Sequence, residues 1–297
     1  MKHYIYIIIL FYAVTSNGQV ADYNQFPSMQ PQHILDEKLE SISFAFSLRI
    51  LESDYNGALI RLRRASDNLE EDFYCNDKDM VDIDAINTWR NGANVYVTIW
   101  YDQSGLNRNA IQATINAQPR FYPVSPLPYF QGDGVNDALI VNTPNGIQDV
   151  TNNGDQGTVL TIMNTTRRNQ TSWGSATGSS RWFLHGNWGN NSIYFDPGQC
   201  CNNPRSYLNT VNSGSFIQYS FLKTDTNVIM RDSGIEKVNG VFNLSPFLGN
   251  APFGIGAANG AFSFATTSFM EFIMYKTDIS ATTYEEIEEN AITFWNL

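Results

Sequence analysis

Short apolar runs recur along most of the chain and are separated by turn signals. Beyond Gly105 the runs come roughly every ten residues, between Asn-Gly, Asp-Gly, Gly-Asn and Pro. They read "ALIV", "TVLTIM", "RWFLH", "SIYF", "FIQYSFL", "NVIMR", "FGIGA" and "SFMEFIMY". Many short strands without long helices between them predict an all-β fold, an antiparallel sandwich or jelly roll.

The first third of the chain mixes two periodicities. Apolar residues at helical spacing predict a short helix over 41–51, and alternation predicts a strand over 58–64. Asp82 as a cap and Gly92 as a stop predict a second short helix. "VYVTIW" (95–100) alternates strictly and predicts the clearest strand in the chain.

The chain ends in "TTYEEIEENAITFWN", which has the pattern of an amphipathic helix. Thr282 with Glu285, or Thr283 with Glu286, would form a capping box. One predicted face carries Ile287, Ala291, Phe294 and Trp295. We expect this helix to lie on the sandwich.

The N-terminus has the pattern of an export signal. Lys2 and His3 precede the run "YIYIIILFYAV", and small and polar residues follow before Gln19. The alternative is an uncleaved membrane anchor, but the run is shorter than the ~20 residues that span a bilayer. We therefore predict a signal peptide over 1–18, a surface-packed leader over 19–43 and a jelly-roll domain over 44–297. Secretion or cell-surface display follows, with no membrane span after cleavage.

Charge and composition narrow the classes of partner. The chain carries 18 Lys and Arg against 29 Asp and Glu, a net charge of −11. A phosphate backbone would be repelled by such a chain, which excludes nucleic acid as a partner. The sequence leaves the oligomeric state open.

Three cysteines, Cys75, Cys200 and Cys201, allow at most one intramolecular disulfide in an exported protein. Cys200 and Cys201 could pair and pin a turn, both could stay free, or Cys75 could pair with one of them. No His or second Cys pair stands at metal-ligand spacing, so we predict no metal. Calcium is common in such sandwiches, but no Asp-rich loop has a specific ligand spacing here.

Three stretches carry a resemblance to a known family. They are "FSLRILESDYNGALIRLRRASDNLEEDF", "VYVTIWYDQSGLNRNAIQATINAQPRF" and "YFQGDGVNDALIV". In this order they resemble the catalytic domain of alpha-L-arabinofuranosidase B and related secreted bacterial concanavalin A-like, laminin-G-like domains. The resemblance covers most of residues 44–141 and continues more weakly through "YSF", "FGIGAANGAF" and "FMEFIMY". It implies a concanavalin A-like jelly roll.

The resemblance also implies where a hydrolase would hold its two carboxyl groups. Retaining hydrolysis needs a nucleophile and an acid/base about 5–5.5 Å apart. With "YSF" (219–221) in register, the family's sugar-binding Asp falls at Asp196 and its nucleophile at Gly198. With "GIG" (254–256) in register, its acid/base falls at Ala258. Both catalytic carboxylates are therefore absent from the expected positions, and the turn with Cys200 and Cys201 resembles that of noncatalytic laminin-G-like relatives.

Other carboxylates are weak catalytic candidates. Asp102, in "YDQSG", is typical of a turn-capping aspartate that accepts backbone amides. Glu271 could face a sheet surface, but the resemblance implies a structural glutamate in the last strand. Asp196 is the other weak candidate. Asp67, Asp72 and Asp133 fall in loops that the sequence does not bring together.

The segment around "RWFLHGNWGNNSIYFD" is the predicted ligand surface. Indole and phenol rings stack on the C–H faces of sugars, so Trp182, Trp188 and Tyr194 could form a platform beside Asp196. His185, Cys200 and Cys201 adjoin them. Equally, one Trp could lie in the core and the other at the rim, and His185 could be a hydrogen-bonded strand residue.

These observations predict a secreted carbohydrate-binding or adhesion domain, with a glycan as partner, no cofactor and no catalytic residues. The first alternative is an active glycoside hydrolase of alpha-L-arabinofuranosidase type whose carboxylates lie elsewhere. The second is a structural component of a surface or particle assembly.

Overall fold

The structure is a computed structural model, and it describes residues 33–165, 169–199, 201, 203–208, 214–242, 245–247 and 249–297. The predicted signal peptide and most of the leader lie outside these residues. The described chain from His33 onward belongs to one compact unit. Among its helices, none is long and apolar enough to cross a membrane.

The described chain contains eighteen strands, three α-helices and a short 3-10 helix at Ile115–Ala117, joined by turns and loops. The strands are β1 Ile42–Ser47, β2 Ile60–Arg64, β3 Glu70–Phe73, β4 Val95–Trp100, β5 Ala110–Ile111, β6 Arg120–Tyr122, β7 Tyr129–Gln131, β8 Leu139–Val141, β9 Gly157–Thr165, β10 Trp173–Thr177, β11 Ser180–His185, β12 Ser192–Gln199, β13 Ser206–Leu208, β14 Ile217–Lys223, β15 Asn227–Asp232, β16 Ile235–Val241, β17 Gly254–Ile255 and β18 Thr267–Tyr275. The helices are α1 Ile83–Arg90, α2 Ile147–Val150 and α3 Ala281–Trp295.

All strand pairs are antiparallel, and they form two facing ladders. One ladder runs β1-β18-β9-β14-β15-β16. The other runs β3-β2-β4-β5-β8-β17-β10-β11-β12-β13, and β6 and β7 connect β4 to β18. The predicted antiparallel β-sandwich is confirmed.

Aromatic rings from both ladders fill the space between them. Phe46 of β1 stacks on Trp100 of β4 at a centroid distance of 5.3 Å. Trp173 of β10 meets Phe221 of β14 at 5.7 Å and Phe272 of β18 at 5.6 Å. All five rings are fully buried, and burial of such large apolar area is the main stabilising term of the fold.

The segment predicted as a first helix is a strand. Residues 42–47 pair with β18 and are buried on both faces, because the core lies on one side and a second apolar cluster on the other. A strand buried on both faces loses its period-two signal, and its apolar residues then imitate helical spacing. Leu35, within the predicted leader, is also fully buried in the second cluster.

The other predicted helices are present. Asp82 caps α1 by accepting from the Ala85 amide. Helix α3 is capped by Ser280, whose hydroxyl accepts from the Thr283 amide, rather than by either predicted threonine. Tyr284 and Ile287 of α3 pack on the outer face of the first ladder, in one apolar cluster with Ile273 of β18.

Candidate functional site

Strands β11 and β12 divide their side chains between the core and the outer face. Phe183 lies opposite Asp196 and His185 opposite Tyr194, so these four side chains share the outer face. The alternate residues, including Trp182, face the core.

Trp182 takes no part in the outer surface. Its side chain is fully buried, and its ring contacts Trp173 and Phe195 at 6.2 and 5.2 Å. Trp188 follows β11 in a turn, and 37% of it is exposed. The structure therefore brings Trp188 to the surface and leaves Trp182 in the core, one of the two arrangements that the sequence allowed.

A line of rings crosses the outer face. His185 lies 4.7 Å from Phe183 and 4.4 Å from Trp188, and Trp188 lies 6.1 Å from Tyr194. The Nδ1 of His185 donates to the Gln170 carbonyl at 2.9 Å, which leaves Nε2 as the acceptor. Burial lowers the pKa of His185, so this ring is neutral at neutral pH.

Asp196 is fully buried and lies between two arginines. Oδ1 accepts a hydrogen bond of 2.6 Å from Arg205, while the nearest Arg181 nitrogen lies 3.6 Å from Oδ2. No hydrogen bond reaches Oδ2 among the described residues. The arginines lie on rings of the same face, Arg205 over Tyr194 at 4.6 Å and Arg181 over Phe183 at 5.3 Å.

A cavity of about 370 Å³ opens on this face. It is lined by Thr171, Ala176, Gly178, Arg181, Phe183, His185, Trp188, Phe262 and Ser263. These residues include one ionised side chain, Arg181, and no carboxylate. We refer to this cavity as the aromatic cavity.

The two positions where the resemblance placed catalytic carboxylates are structurally closed to them. Gly198 has φ +132°, and a Cβ there would lie 2.8 Å from the Ser245 carbonyl oxygen. Ala258 is fully buried against Ala176 and Phe183. A carboxylate at Ala258 would lose its hydration, which is costly unless a charged or hydrogen-bonding partner compensates.

The cysteines lie in different settings. Cys75 is free and exposed. Cys200 lies outside the described residues, so the predicted pairing of Cys200 with Cys201, and the place of Cys200 in the ligand surface, stay predictions. Cys201 is exposed and follows β12, but it does not line the aromatic cavity.

Asp102 and Glu271 have structural environments. Asp102 accepts from the amides of Ala45, Ser104 and Arg108, all at 2.9 Å. Glu271 is buried and paired with the buried Arg49 at 2.7 Å. These contacts match the turn-capping and structural alternatives that the sequence analysis gave for the two residues.

A second cavity, of about 520 Å³, lies over β2, β4, β6 and β7. Arg63, Tyr96, Arg120 and Gln131 stand directly opposite one another on β2, β4, β6 and β7 and form one row on its floor. The loop 132–137 contributes Asp133 and Asp137. We refer to this cavity as the polar cavity.

The two carboxylates of the polar cavity hold their own loop together. Asp133 Oδ1 accepts from the amides of Val135 and Asn136, and Asp137 Oδ2 accepts from the Asp133 amide at 3.0 Å. Burial, and secondly the charge of Asp133, raises the pKa of Asp137 to about 7. No group of three or more potential acidic, His or Cys metal ligands occurs in the described chain.

Sequence reasoning missed Arg181 and Arg205. Arg181 stands two residues before Phe183 in a strand, so alternation alone places both on one face. Arg205 could not be found in this way, because it follows a turn and reaches Asp196 from outside β12.

Comparison with solved structures supports the fold. The chain aligns with an arabinofuranosidase complexed with arabinofuranosyl-alpha-1,2-xylobiose at a TM-score of 0.68 and 17% identity. A GH54 α-L-arabinofuranosidase soaked with a cyclic sulfate inhibitor gives a TM-score of 0.62 at 18% identity. Both alignments cover 88% of this chain and 64% of the other, so the chain spans less than two thirds of these enzymes.

No protein-family model matches the sequence, and no curated protein matches it. The chain thus has the arabinofuranosidase-like β-sandwich fold. Identities below one fifth establish the fold and leave the activity to the site itself.

Proposed function

We propose that this protein is a noncatalytic saccharide-binding domain whose ligand occupies the aromatic cavity. The observation that carries the proposal is the lining of the cavity, which combines ring faces and an arginine with no carboxylate. Ring faces suit the C–H faces of a sugar, and hydrolysis would need two carboxyl groups across the bond.

The contacts of the site favour binding of a small saccharide unit. His185 presents Nε2 as an acceptor, and the Thr171 and Ser263 hydroxyls, 3.1 Å apart, add polar groups on the other side. Trp188 and Phe262 supply the exposed rings. A few polar groups among aromatic walls is the usual composition of a ligand pocket.

The test is binding to immobilised glycans together with an assay on 4-nitrophenyl α-L-arabinofuranoside. Trp188→Ala should weaken glycan binding about tenfold, because it removes one of the two exposed rings of the cavity. Tyr74→Ala, which truncates another exposed aromatic outside the cavity, is the matched control and should bind like the wild type. Equal binding by the wild type and Trp188→Ala would contradict this assignment.

The polar cavity favours hydrolysis as a second candidate function. A carboxyl group with a raised pKa beside a second carboxylate is the property expected of a general acid with its partner. Both carboxylates are engaged by amides of their own loop, which is why we rank hydrolysis second. Turnover that is lost in Asp137→Asn and retained in Trp188→Ala would assign hydrolysis to this cavity. Turnover lost in Asp196→Ala would instead restore a catalytic role to the aromatic cavity.

We also propose that the protein is exported and meets its glycan outside the cell. The proposal rests on the N-terminal pattern and on the low charged fraction of 16%. Recovery of a chain that begins at Gln19 from the culture medium would support it, and retention of Met1 would contradict it. A structural role in a surface assembly would instead be indicated by assembly without any measurable glycan affinity.

A further inference from the structure

We propose that the aromatic cavity selects an acidic saccharide unit, one carrying a carboxylate or sulfate group, through the guanidinium of Arg181. This inference rests on the proposed saccharide-binding function and adds the chemical class of the ligand. Neutral sugars are the competing class.

The first support is the charge balance around Asp196. This carboxylate carries one negative charge for two arginines, and the closer arginine, Arg205 at 2.6 Å, already forms its short hydrogen bond. Arg181 is 3.6 Å away, beyond hydrogen-bonding distance. The cluster therefore holds one positive charge in excess, and that excess lies on the arginine that lines the cavity.

The second support is the unused hydrogen-bonding capacity of Arg181. A guanidinium has five N–H donors, and none of those of Arg181 makes a hydrogen bond to the described residues. Its side chain is 34% exposed, and the ring of Phe183 lies beneath its plane. The guanidinium carbon lies over the Phe183 ring, and the N–H groups that do not face Asp196 are left for a ligand. Such a planar edge matches a carboxylate or sulfate with two parallel hydrogen bonds.

The third support is the absence of any competing negative charge among the residues that line the cavity. His185 is neutral, and apart from Arg181 itself the remaining lining residues are apolar or uncharged. In the polar cavity, by contrast, Arg63 and Arg120 share the space with Asp133 and Asp137. The aromatic cavity is thus a locally positive site on a chain of net charge −11, and the rest of the chain opposes nonspecific binding of polyanions.

The experiment compares three oligosaccharides of equal length by titration calorimetry with the full exported chain. They are a carboxylated oligogalacturonate, a sulfated galacto-oligosaccharide and a neutral arabino-oligosaccharide. We expect one of the acidic ligands to bind at least about tenfold more tightly than the neutral ligand, because a charge-assisted bidentate contact is added. Which acidic ligand binds distinguishes a carboxylate from a sulfate. The advantage should shrink as salt is raised from 50 to 500 mM, since the Arg181 side chain is partly exposed to solvent.

Two variants test the role of Arg181 itself. Arg181→Gln should reduce acidic-ligand affinity about tenfold and leave neutral-ligand affinity unchanged, and Arg181→Lys should retain part of the preference. Arg64→Gln is the matched control, because Arg64 also lies over a ring, that of Trp89 at 4.9 Å, beside Asp67 and outside the cavity. It should keep the wild-type preference. Should Arg181→Gln fail to fold, the ligand ratio and its salt dependence in the wild type decide.

The failures of the two proposals are distinguishable. If the wild type bound the neutral ligand as tightly as the acidic ligands, and Arg181→Gln had the same affinities, the acidic specificity would be overturned. The saccharide-binding proposal would then remain intact. If neither the three oligosaccharides nor the immobilised glycans bound to the wild type, the binding function itself would be overturned.

Discussion

At the scale of single residues, backbone conformation explains why the fold cannot simply accept a nucleophile at Gly198. Gly198 lies in β12 with φ +132°, a conformation that side-chain-bearing residues rarely adopt. A Cβ would also meet the Ser245 carbonyl oxygen at 2.8 Å. Any residue other than glycine therefore strains the strand that carries Asp196.

Gly198→Ala should lower the free energy of unfolding by about 2–3 kcal/mol, from backbone strain and the close contact together. Gly214→Ala is the matched control, because Gly214 has φ +142° and no atom near its Cβ position. This control should show the backbone strain alone, and therefore a smaller loss of the free energy of unfolding. Urea denaturation of both variants measures the difference, and equal losses would show that the Ser245 contact costs nothing.

At the scale of elements, the last strand and the last helix are joined by a buried ion pair. Glu271 of β18 accepts from Arg49 Nε at 2.7 Å and from Trp295 Nε1 at 3.2 Å. Arg49 also donates to Asn290 of α3 at 2.7 Å. One carboxylate thus connects the segment after β1, β18 and the end of α3.

Glu271→Gln should destabilise the protein by about 3 kcal/mol, because it leaves the Arg49 cation buried without its charge partner. Glu286→Gln is the control, since Glu286 is half exposed and pairs with Lys38 at 3.3 Å. An exposed pair of this kind contributes roughly 0–1 kcal/mol. Similar thermal unfolding of the two variants would contradict a structural role for Glu271.

The element scale also shows how far the sequence could be interpreted. Turn signals and alternation predicted β4, β11 and β12, and helical periodicity predicted the final helix, because each has one face toward the core and another toward solvent or a neighbour. The same patterns failed for β1, which is buried on both faces. The run "SFMEFIMY" is the strand β18, as predicted, and its second face is covered by α3. Periodicity reports which side chains share a face and cannot say what covers that face.

The candidate site was predictable only in part for the same reason. His185, Trp188 and Tyr194 are close in sequence, so local reasoning grouped them. The lining residues Thr171, Phe262 and Ser263 come from loops that meet only because β10 pairs with β17. The pairing of Asp133 with Asp137 was missed because a shared cavity wall leaves no periodic signal.

At the scale of the whole molecule, stability and pH are linked through Asp137. Burial and Asp133 raise the pKa of Asp137 to about 7 in the folded chain, whereas an unfolded aspartic acid titrates near ~3.9. Between these two values the folded chain holds the proton that the unfolded chain has released. The free energy of unfolding therefore falls as pH rises through this window, and the loss is complete above about pH 7.

Asp137→Asn removes this proton exchange and keeps an oxygen that can accept the Asp133 amide, so the variant should gain about 1–2 kcal/mol over the wild type at pH 8 and little at pH 4.5. Urea unfolding at the two pH values measures the gain. Asp84→Asn, at an exposed aspartate in the first turn of α1, is the control and should change stability by the same amount at both pH values. A gain for Asp137→Asn that does not depend on pH would mean that the Asp137 carboxyl group is solvated in the folded protein, and hydrolysis in the polar cavity would then lose its general acid.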